Sequence, residues 1–378
     1  MIYLDFQATT PIADEIADVV DRTARENWAN PSSPHMAGLR SQDAMENARR
    51  KMASLLGIRP RELFFTSGAT EANNWVVSML EPSHFNHIIT TAIEHKSMLD
   101  ACLAFEKHGG DLTVLPVDGR GFVDPMDVKK SLKTTTKLVS VMAANNETGS
   151  IQPLEEISKV TNEAGIALHS DATQAVGYLV DNFTRFPADL LSFSAHKLYG
   201  PKGVGALYIS DKFQASNGID RSLLYGGGQE RGMRPGTENL PAIVGFAKAL
   251  ELSRELSHSE RKRVGELKNQ FWESLALKVP SVIANSPTEN CLPNCLNVQF
   301  PDVDATDLMA AVPQLALSAG SACNSTDQKP SHVLSAMGAS AEVARSSLRI
   351  GFGRITTSHD VRRAVNMLSD AYAVLKSV

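Results

Sequence analysis

The apolar positions follow two periods. Continuous apolar runs occur at Glu62-Leu-Phe-Phe-Thr66, His87-Ile-Ile-Thr-Thr91, Leu138-Val-Ser-Val-Met-Ala143, Gly165-Ile-Ala-Leu-His169, Asp189-Leu-Leu-Ser-Phe193 and Val204-Gly-Ala-Leu-Tyr-Ile209. Each is short and bounded by turn formers, so each reads as a buried strand. Around them lie segments with helical spacing at 12–27, 41–56, from Glu71 onward, 97–108, 124–133 and 154–164. Ala44, Ala48, Met52 and Leu55 share one face of the second. Strand and helix therefore alternate from about 62 to 209, the pattern of a mainly parallel sheet with helices on both faces.

Beyond 209 the pattern changes. Residues 240–256 and 260–278 are predicted as two helices, the second with Val264, Leu267, Phe271 and Leu275 in a core-facing stripe. Strand-like runs at Cys295–Phe300, Gln314–Ser318 and Ser347–Ile350 then alternate with helical segments, and a last helix spans about 358–376. The prediction is an α/β fold: a large domain, 12–256, and a smaller α+β domain made of 1–11 and 257–378.

Composition narrows the picture. A chain of 378 residues, 43% hydrophobic, can bury a sizeable core. A net charge of −5 argues against a broad grip on nucleic acid, and no apolar run is long enough to span a membrane. Met1–Asp5 does not resemble a secretory signal. Cys102, Cys291, Cys295 and Cys323 make no disulfide framework, which points to a reduced, cytoplasmic protein. Cys102 reads as helix packing. Cys291 and Cys295 lack histidine neighbours and read as structural thiols, and no metal site is expected.

The candidate chemistry gathers at strand ends. Lys197 follows the run ending at Phe193, in Ser194-Ala-His-Lys-Leu-Tyr-Gly-Pro-Lys-Gly203. Asp171 follows the run ending at His169, with Gln174 just beyond. Alone, each has a plain reading, a surface lysine and a helix-capping aspartate. Together, a strand-end amine and carboxylate are what pyridoxal 5'-phosphate (PLP) chemistry requires. Ser67-Gly-Ala-Thr70, between a strand and a helix, is either an anion cradle or an ordinary capped helix start. His95, Asn146 and the glycine-rich stretch Gly226–Asn239 are open in the same way: structural histidine, Asn-rich turn and surface loop are the plain alternatives.

Asp171-Ala-Thr-Gln174 followed by Ser194-Ala-His-Lys-Leu-Tyr-Gly-Pro-Lys-Gly203 resembles the cysteine desulfurases, a branch of the class V aminotransferase-like PLP enzymes. The resemblance runs from Tyr3-Leu-Asp5 to about Arg354. It implies that 12–256 is the PLP-binding domain and that Lys197 carries the cofactor. Asp171 would face the ring nitrogen and Gln174 the ring hydroxyl. Ala69 and Thr70 would hold the phosphate, with Ser194 and His196 beside them. His95 would stack on the ring and shuttle a proton, and Asn146 would help to seat substrate. Thr237 would reach the phosphate of a second subunit, which makes the enzyme a homodimer. Arg349, in Ser347-Leu-Arg-Ile-Gly-Phe-Gly-Arg354, would pair with the carboxylate of L-cysteine.

The second reactive element is Cys323, in Ser318-Ala-Gly-Ser-Ala-Cys-Asn-Ser-Thr-Asp-Gln-Lys-Pro-Ser-His-Val-Leu334. Small and polar neighbours suit an exposed, reactive thiol. The segment is about ten residues long and can reach roughly 15 Å out and back. It resembles the longer-loop group of desulfurases, with Asn324 where many relatives have Thr. His332 reads as a helix-start residue. The implied reaction converts L-cysteine to L-alanine, leaves a persulfide on Cys323 and passes the sulfur to an acceptor protein. An iron–sulfur scaffold, tRNA thiolation and DNA phosphorothioate machinery are all open as destinations. The chain stops just after the last helix, without the scaffold-docking tail of housekeeping relatives, which leaves that partner in question. No direct nucleic-acid binding is expected. The alternatives are another class V activity, such as a selenocysteine lyase or an aminotransferase, or a non-catalytic scaffold.

Overall fold

The computed structural model describes residues 1–179, 187–217, 222–319 and 330–377. In chain order the strands are β1 (Ile2–Tyr3), β2 (Leu63–Thr66), β3 (His87–Thr91), β4 (Asp111–Leu115), β5 (Thr136–Ser140), β6 (Ala167–Asp171), β7 (Leu190–Ser194), β8 (Gly205–Ile209), β9 (Ile283–Ala284), β10 (Cys295–Gln299), β11 (Leu315–Ala316) and β12 (Ser347–Gly351). The helices are α1 (Asp14–Glu26), α2 (Met36–Leu56), α3 (Ala69–Ser78), α4 (Lys96–Lys107), α5 (Pro125–Ser131), α6 (Leu154–Ala164), α7 (Val176–Leu179), α8 (Asp211–Asn217), α9 (Leu240–Lys278), α10 (Ala305–Ala311), α11 (His332–Ala336), α12 (Ala341–Arg345) and α13 (Ser358–Lys376).

Seven strands form the main sheet in the order β2-β8-β7-β6-β5-β3-β4. β8 runs antiparallel to both β2 and β7, and the other neighbours are parallel. Both faces are buried, which is why the strands read as unbroken apolar runs. Successive residues point to opposite faces. Phe65, Ile89, Val139 and Leu191 enter the core that also holds Met52, Ile243 and Phe246. Their neighbours Phe64, Ile88, Leu138 and Leu190 enter the core that holds Trp75, Met98 and Phe105. β4 is an addition to the predicted strands. Only Leu115 in it is buried, so it lacked the apolar run that marked the others.

A third core joins Ile2 and Leu4 to Val264, Phe271, Val298, Ile350, Val365 and Leu368. It lies on a three-stranded antiparallel sheet, β12-β10-β9, and on β1, which pairs with β11. The two helices predicted over 240–256 and 260–278 are one, α9, of 39 residues. Leu256-Ser-His-Ser259 interrupts the apolar stripe but contains neither Gly nor Pro, so nothing stops the helix. Its first half packs in the main core and its second half in the third.

The glycine-rich stretch after β8 is pinned to the main sheet by Glu230. This carboxylate takes Arg49 Nη2 at 2.6 Å, Arg49 Nη1 at 2.9 Å and the Phe65 backbone N–H at 2.9 Å. Both side chains are buried. Glu230 and the adjacent Arg231 have φ of 47° and 59°, the left-handed region that non-glycine residues avoid, so the anchor holds a strained turn. Breaking a buried pair leaves a buried charge short of its partner, and without Glu230 the Arg49 guanidinium would keep only the half-exposed Glu46 as a counter-ion. Glu230→Ala is expected to lower unfolding free energy by about 3–5 kcal/mol in urea titrations, whereas Asp21→Ala, in an exposed pair with Arg25, leaves it nearly unchanged.

Candidate active site

The parallel strands deliver their C-terminal ends to one rim, where ligands of open α/β sheets bind. A cavity of about 500 Å³ opens there. Its walls carry Ala69 and Thr70 after β2, His95 after β3, Asn146 after β5, Asp171 and Gln174 at the end of β6, and Ser194, His196 and Lys197 from the end of β7. Nine of the predicted site residues thus share one cavity. Thr237 lines a smaller neighbouring cavity with Ser67 and Gly203. Arg349 stands behind Asn146, and Cys323 lies outside the described residues.

Lys197 ends the 3-10 turn Ala195–Lys197. Its ammonium donates to the carbonyls of Gln7 and Ala8, the latter at 2.9 Å. Gln174 Nε2 donates to the same Gln7 carbonyl at 3.0 Å. Thr10 N donates to the His196 carbonyl at 3.0 Å, and Thr10 Oγ1 accepts from Tyr199 N at 2.8 Å. Residues 7–10 are therefore a wall of the site that the sequence reading missed. The available signal was a run of small polar residues, Gln7-Ala-Thr-Thr10, just after a short strand.

Asp171 is buried and accepts at both oxygens. Thr173 N donates to Oδ1 at 2.9 Å and Asn73 Nδ2 donates to Oδ2 at 2.8 Å. His95 caps α4, its Nδ1 accepting from Ser97 N. Burial is the main force lowering its pKa, opposed by Asp171 and reinforced by Lys197. His196 is pushed down to about 4, by burial first and then by Lys197 and Lys202. Both rings are neutral at pH 7. Beside His95, Glu94 is fully buried. Its Oε1 accepts from Thr91 Oγ1 and Met142 N, each at 2.8 Å, and burial raises its pKa to about 8. Glu94 thus ties the turn bearing His95 to the residues after β5. It was missed because a carboxyl held neutral by burial looks like any glutamate in a sequence.

Arg349 is buried. Nη2 donates to Asp5 Oδ1 at 2.8 Å and Nη1 to the Asn146 carbonyl at 3.3 Å, while Nε has no partner among the described residues. Its backbone N–H donates to the Ser318 carbonyl at 2.7 Å. On the other flank, Ser331 Oγ donates to Glu147 Oε2, next to Asn146, and His332 Nε2 bonds the Glu94 carbonyl at 2.9 Å. His332 opens α11, as predicted. The chain thus leaves toward Cys323 at Arg349 and returns beside Glu94 and Asn146. Both points adjoin residues that line the cavity, Arg349 through the Asn146 carbonyl and His332 through Glu94, the neighbour of His95.

The family model for class V aminotransferases matches residues 2–364. The chain belongs to that family. Within it the chain stands with the cysteine desulfurases. It is 40% identical over 382 residues to the cysteine desulfurase IscS of Dictyoglomus turgidum, covering 100% of this chain and 96% of the relative. A solved NifS-like protein superposes with a TM-score of 0.90 at 35% identity, with 100% of both chains covered. SspA, solved in complex with cysteine, gives 0.82 at 33% identity, covering 94% of this chain and 100% of the other. The α/β fold and the family resemblance both hold. Among the described residues Cys102, Cys291 and Cys295 are free thiols, no cluster of residues suits a metal, and no helix is long and apolar enough to cross a membrane.

Enzymes of this family work with PLP, and the residues present fit it. The N-terminus of α3 has free first-turn N–H groups at Ala69 and Thr70 for a phosphate. Across the cavity, Lys197 supplies an amine and Asp171 a carboxylate. The buried Thr173 Oγ1 has no partner among the described residues, which leaves a polar atom at the site available to a bound group. Gly205 sets the shape of the cradle, because a Cβ there would lie 2.6 Å from Gly68 Cα and 2.8 Å from the Phe193 carbonyl oxygen. Gly205→Ala is expected to displace the Gly68 turn and weaken PLP binding about tenfold or more in a fluorescence titration. An unchanged Kd would mean that this turn is not the phosphate cradle.

Proposed function

We propose that this chain is a PLP-dependent cysteine desulfurase that takes sulfur from L-cysteine onto Cys323. The observation that carries the reading is the anchoring of the residues that flank the Cys323 segment, Ser318 on Arg349 and Ser331 and His332 on Glu147 and Glu94, beside Asn146 and His95 of the cavity that holds Lys197. The relative solved with bound cysteine supports the choice of substrate. The division into a large domain, 12–256, and a small one, 1–11 with 257–378, is supported by the separate core that joins Ile2 and Leu4 to the C-terminal elements.

Bound PLP supplies an aldehyde and an electron-accepting ring. Lys197 would hold the cofactor, and its Nζ would take the substrate Cα proton. Asp171, fixed by Asn73 and Thr173, would present a carboxylate to the ring nitrogen. Gln174 would hold the ring hydroxyl, and His95 would pack on the ring. Asn146 and Arg349 would orient the substrate, Arg349 by exchanging its contacts with Asp5 and the Asn146 carbonyl for the substrate carboxylate. The Cys323 thiolate attacks the substrate sulfur. The C–S bond breaks, a persulfide remains on Cys323 and L-alanine leaves.

Thr237 is exposed and lies one cavity away from Lys197, which supports its service to a second subunit in a homodimer. A protein acceptor then takes the sulfur. Free thiols at the described cysteines support a cytoplasmic location. In assays of alanine release without added acceptor, Lys197→Ala and Cys323→Ser are each expected to lose roughly a thousandfold or more. Full alanine release by Cys323→Ala in the presence of reductant would favour a selenocysteine lyase or other class V activity instead.

A further inference from the structure

The side chain of His95 caps its own helix, with Nδ1 accepting the Ser97 backbone N–H at 3.2 Å. A backbone N–H cannot turn round, so Nδ1 carries no proton and the neutral ring is protonated at Nε2. The Ser97 hydroxyl lies 2.8 Å from the same nitrogen. With Nδ1 fixed as an acceptor, the hydroxyl donates to it. Ser97 Oγ in turn accepts from Asn73 Nδ2 at 2.9 Å, and the other hydrogen of that amide goes to Asp171 Oδ2 at 2.8 Å. Turning the amide over would set Oδ1 against a carboxylate oxygen, so its orientation is fixed as well. Asn73 is fully buried, and its Oδ1 has no partner among the described residues. The amide is placed for its two N–H groups.

We propose that Ser97, oriented by Asn73, is a positioning residue that fixes the tautomer of His95, so that the imidazole offers the cavity a donor at Nε2 and not a base. Nε2 makes no hydrogen bond among the described residues, and His95 lines the cavity. The charged and titratable groups that face the ring are Asp171 from β6, Lys197 and His196 after β7, His332 at the start of α11 and Asp100 on α4 itself. The carboxylates favour a protonated ring, and the cationic groups and burial oppose it. The two donors at Nδ1 act with burial, since a proton there would break both bonds. The roles at the site then divide: Lys197 moves the proton, and His95 donates a hydrogen bond. This division rests on the cavity being the active site, whereas the tautomer does not.

The test is a long-range 1H–15N correlation spectrum of the full-length protein labelled with [15N]histidine, with and without PLP, His95 being assigned by its loss in His95→Gln. The expected result is the Nε2–H pattern over roughly pH 6 to 9. Ser97→Ala should raise the His95 titration midpoint by about half to one pH unit, the worth of one neutral hydrogen bond. Ser97→Thr, which keeps the hydroxyl, should restore the wild-type midpoint. An Nδ1–H pattern in the wild type, or an unmoved midpoint in folded Ser97→Ala, would overturn the proposal. If Ser97→Ala does not fold, the wild-type tautomer decides. The spectrum needs no turnover, so its outcome is separate from that of the alanine-release assay.

Discussion

The site exists because parallel strands all end on the same side. A strand pointing the other way sends its terminal loop to the opposite edge, so one reversed strand would remove one functional group from the cavity. β2, β3, β5, β6 and β7 share a direction and between them position Thr70, His95, Asn146, Asp171 and Lys197. The antiparallel β8 contributes in another way. Its first residue, Gly205, runs beneath the Gly68 turn at a distance that admits no side chain.

The sheet supplies only part of the enclosure, because chain segments distant in sequence supply the rest. Residues 7–10 carry the carbonyls that receive Lys197 and Gln174. Asp5 holds Arg349 from the opposite end of the chain. Tyr199, two residues after Lys197, accepts Arg354 N through its hydroxyl at 2.6 Å and lies under the Arg354 guanidinium, which pairs with Glu260 at 3.0 Å. The lysine turn is therefore fixed both to the N-terminal segment and to the elements that carry Arg349. These links join the core around the sheet to the core around α13.

Much of this was legible in the sequence, for a physical reason. A strand buried on both faces must be apolar throughout, so six of the seven strands of the main sheet announced themselves. β4, buried only at Leu115, did not. Residues at strand ends could be ranked by chemical type, which singled out Asp171 and Lys197, whereas His95 gained its role only from the family resemblance. What could not be read was every role set by a contact across the chain. Asn73 is an ordinary helical asparagine until α3 is laid against β6. Glu94 becomes neutral only because burial raises its pKa to about 8. The single helix α9 was read as two because a polar gap in an apolar stripe resembles a break, although the residues of the gap are compatible with a helix and include no Pro.

The central claim is that the thiol at Cys323 is the one that receives sulfur from a substrate seated at Lys197. Cys102 and Cys295 are buried, and burial raises both thiol pKa values to about 12, so neither supplies a thiolate at neutral pH. The direct measurement is peptide mass spectrometry of the PLP-loaded protein after a brief incubation with L-[34S]cysteine without reductant, followed by alkylation. The account predicts one labelled sulfur on the peptide that contains Cys323, and none on the peptides of Cys102, Cys291 or Cys295. Label on one of those three instead, or alanine formed with no labelled cysteine, would contradict it.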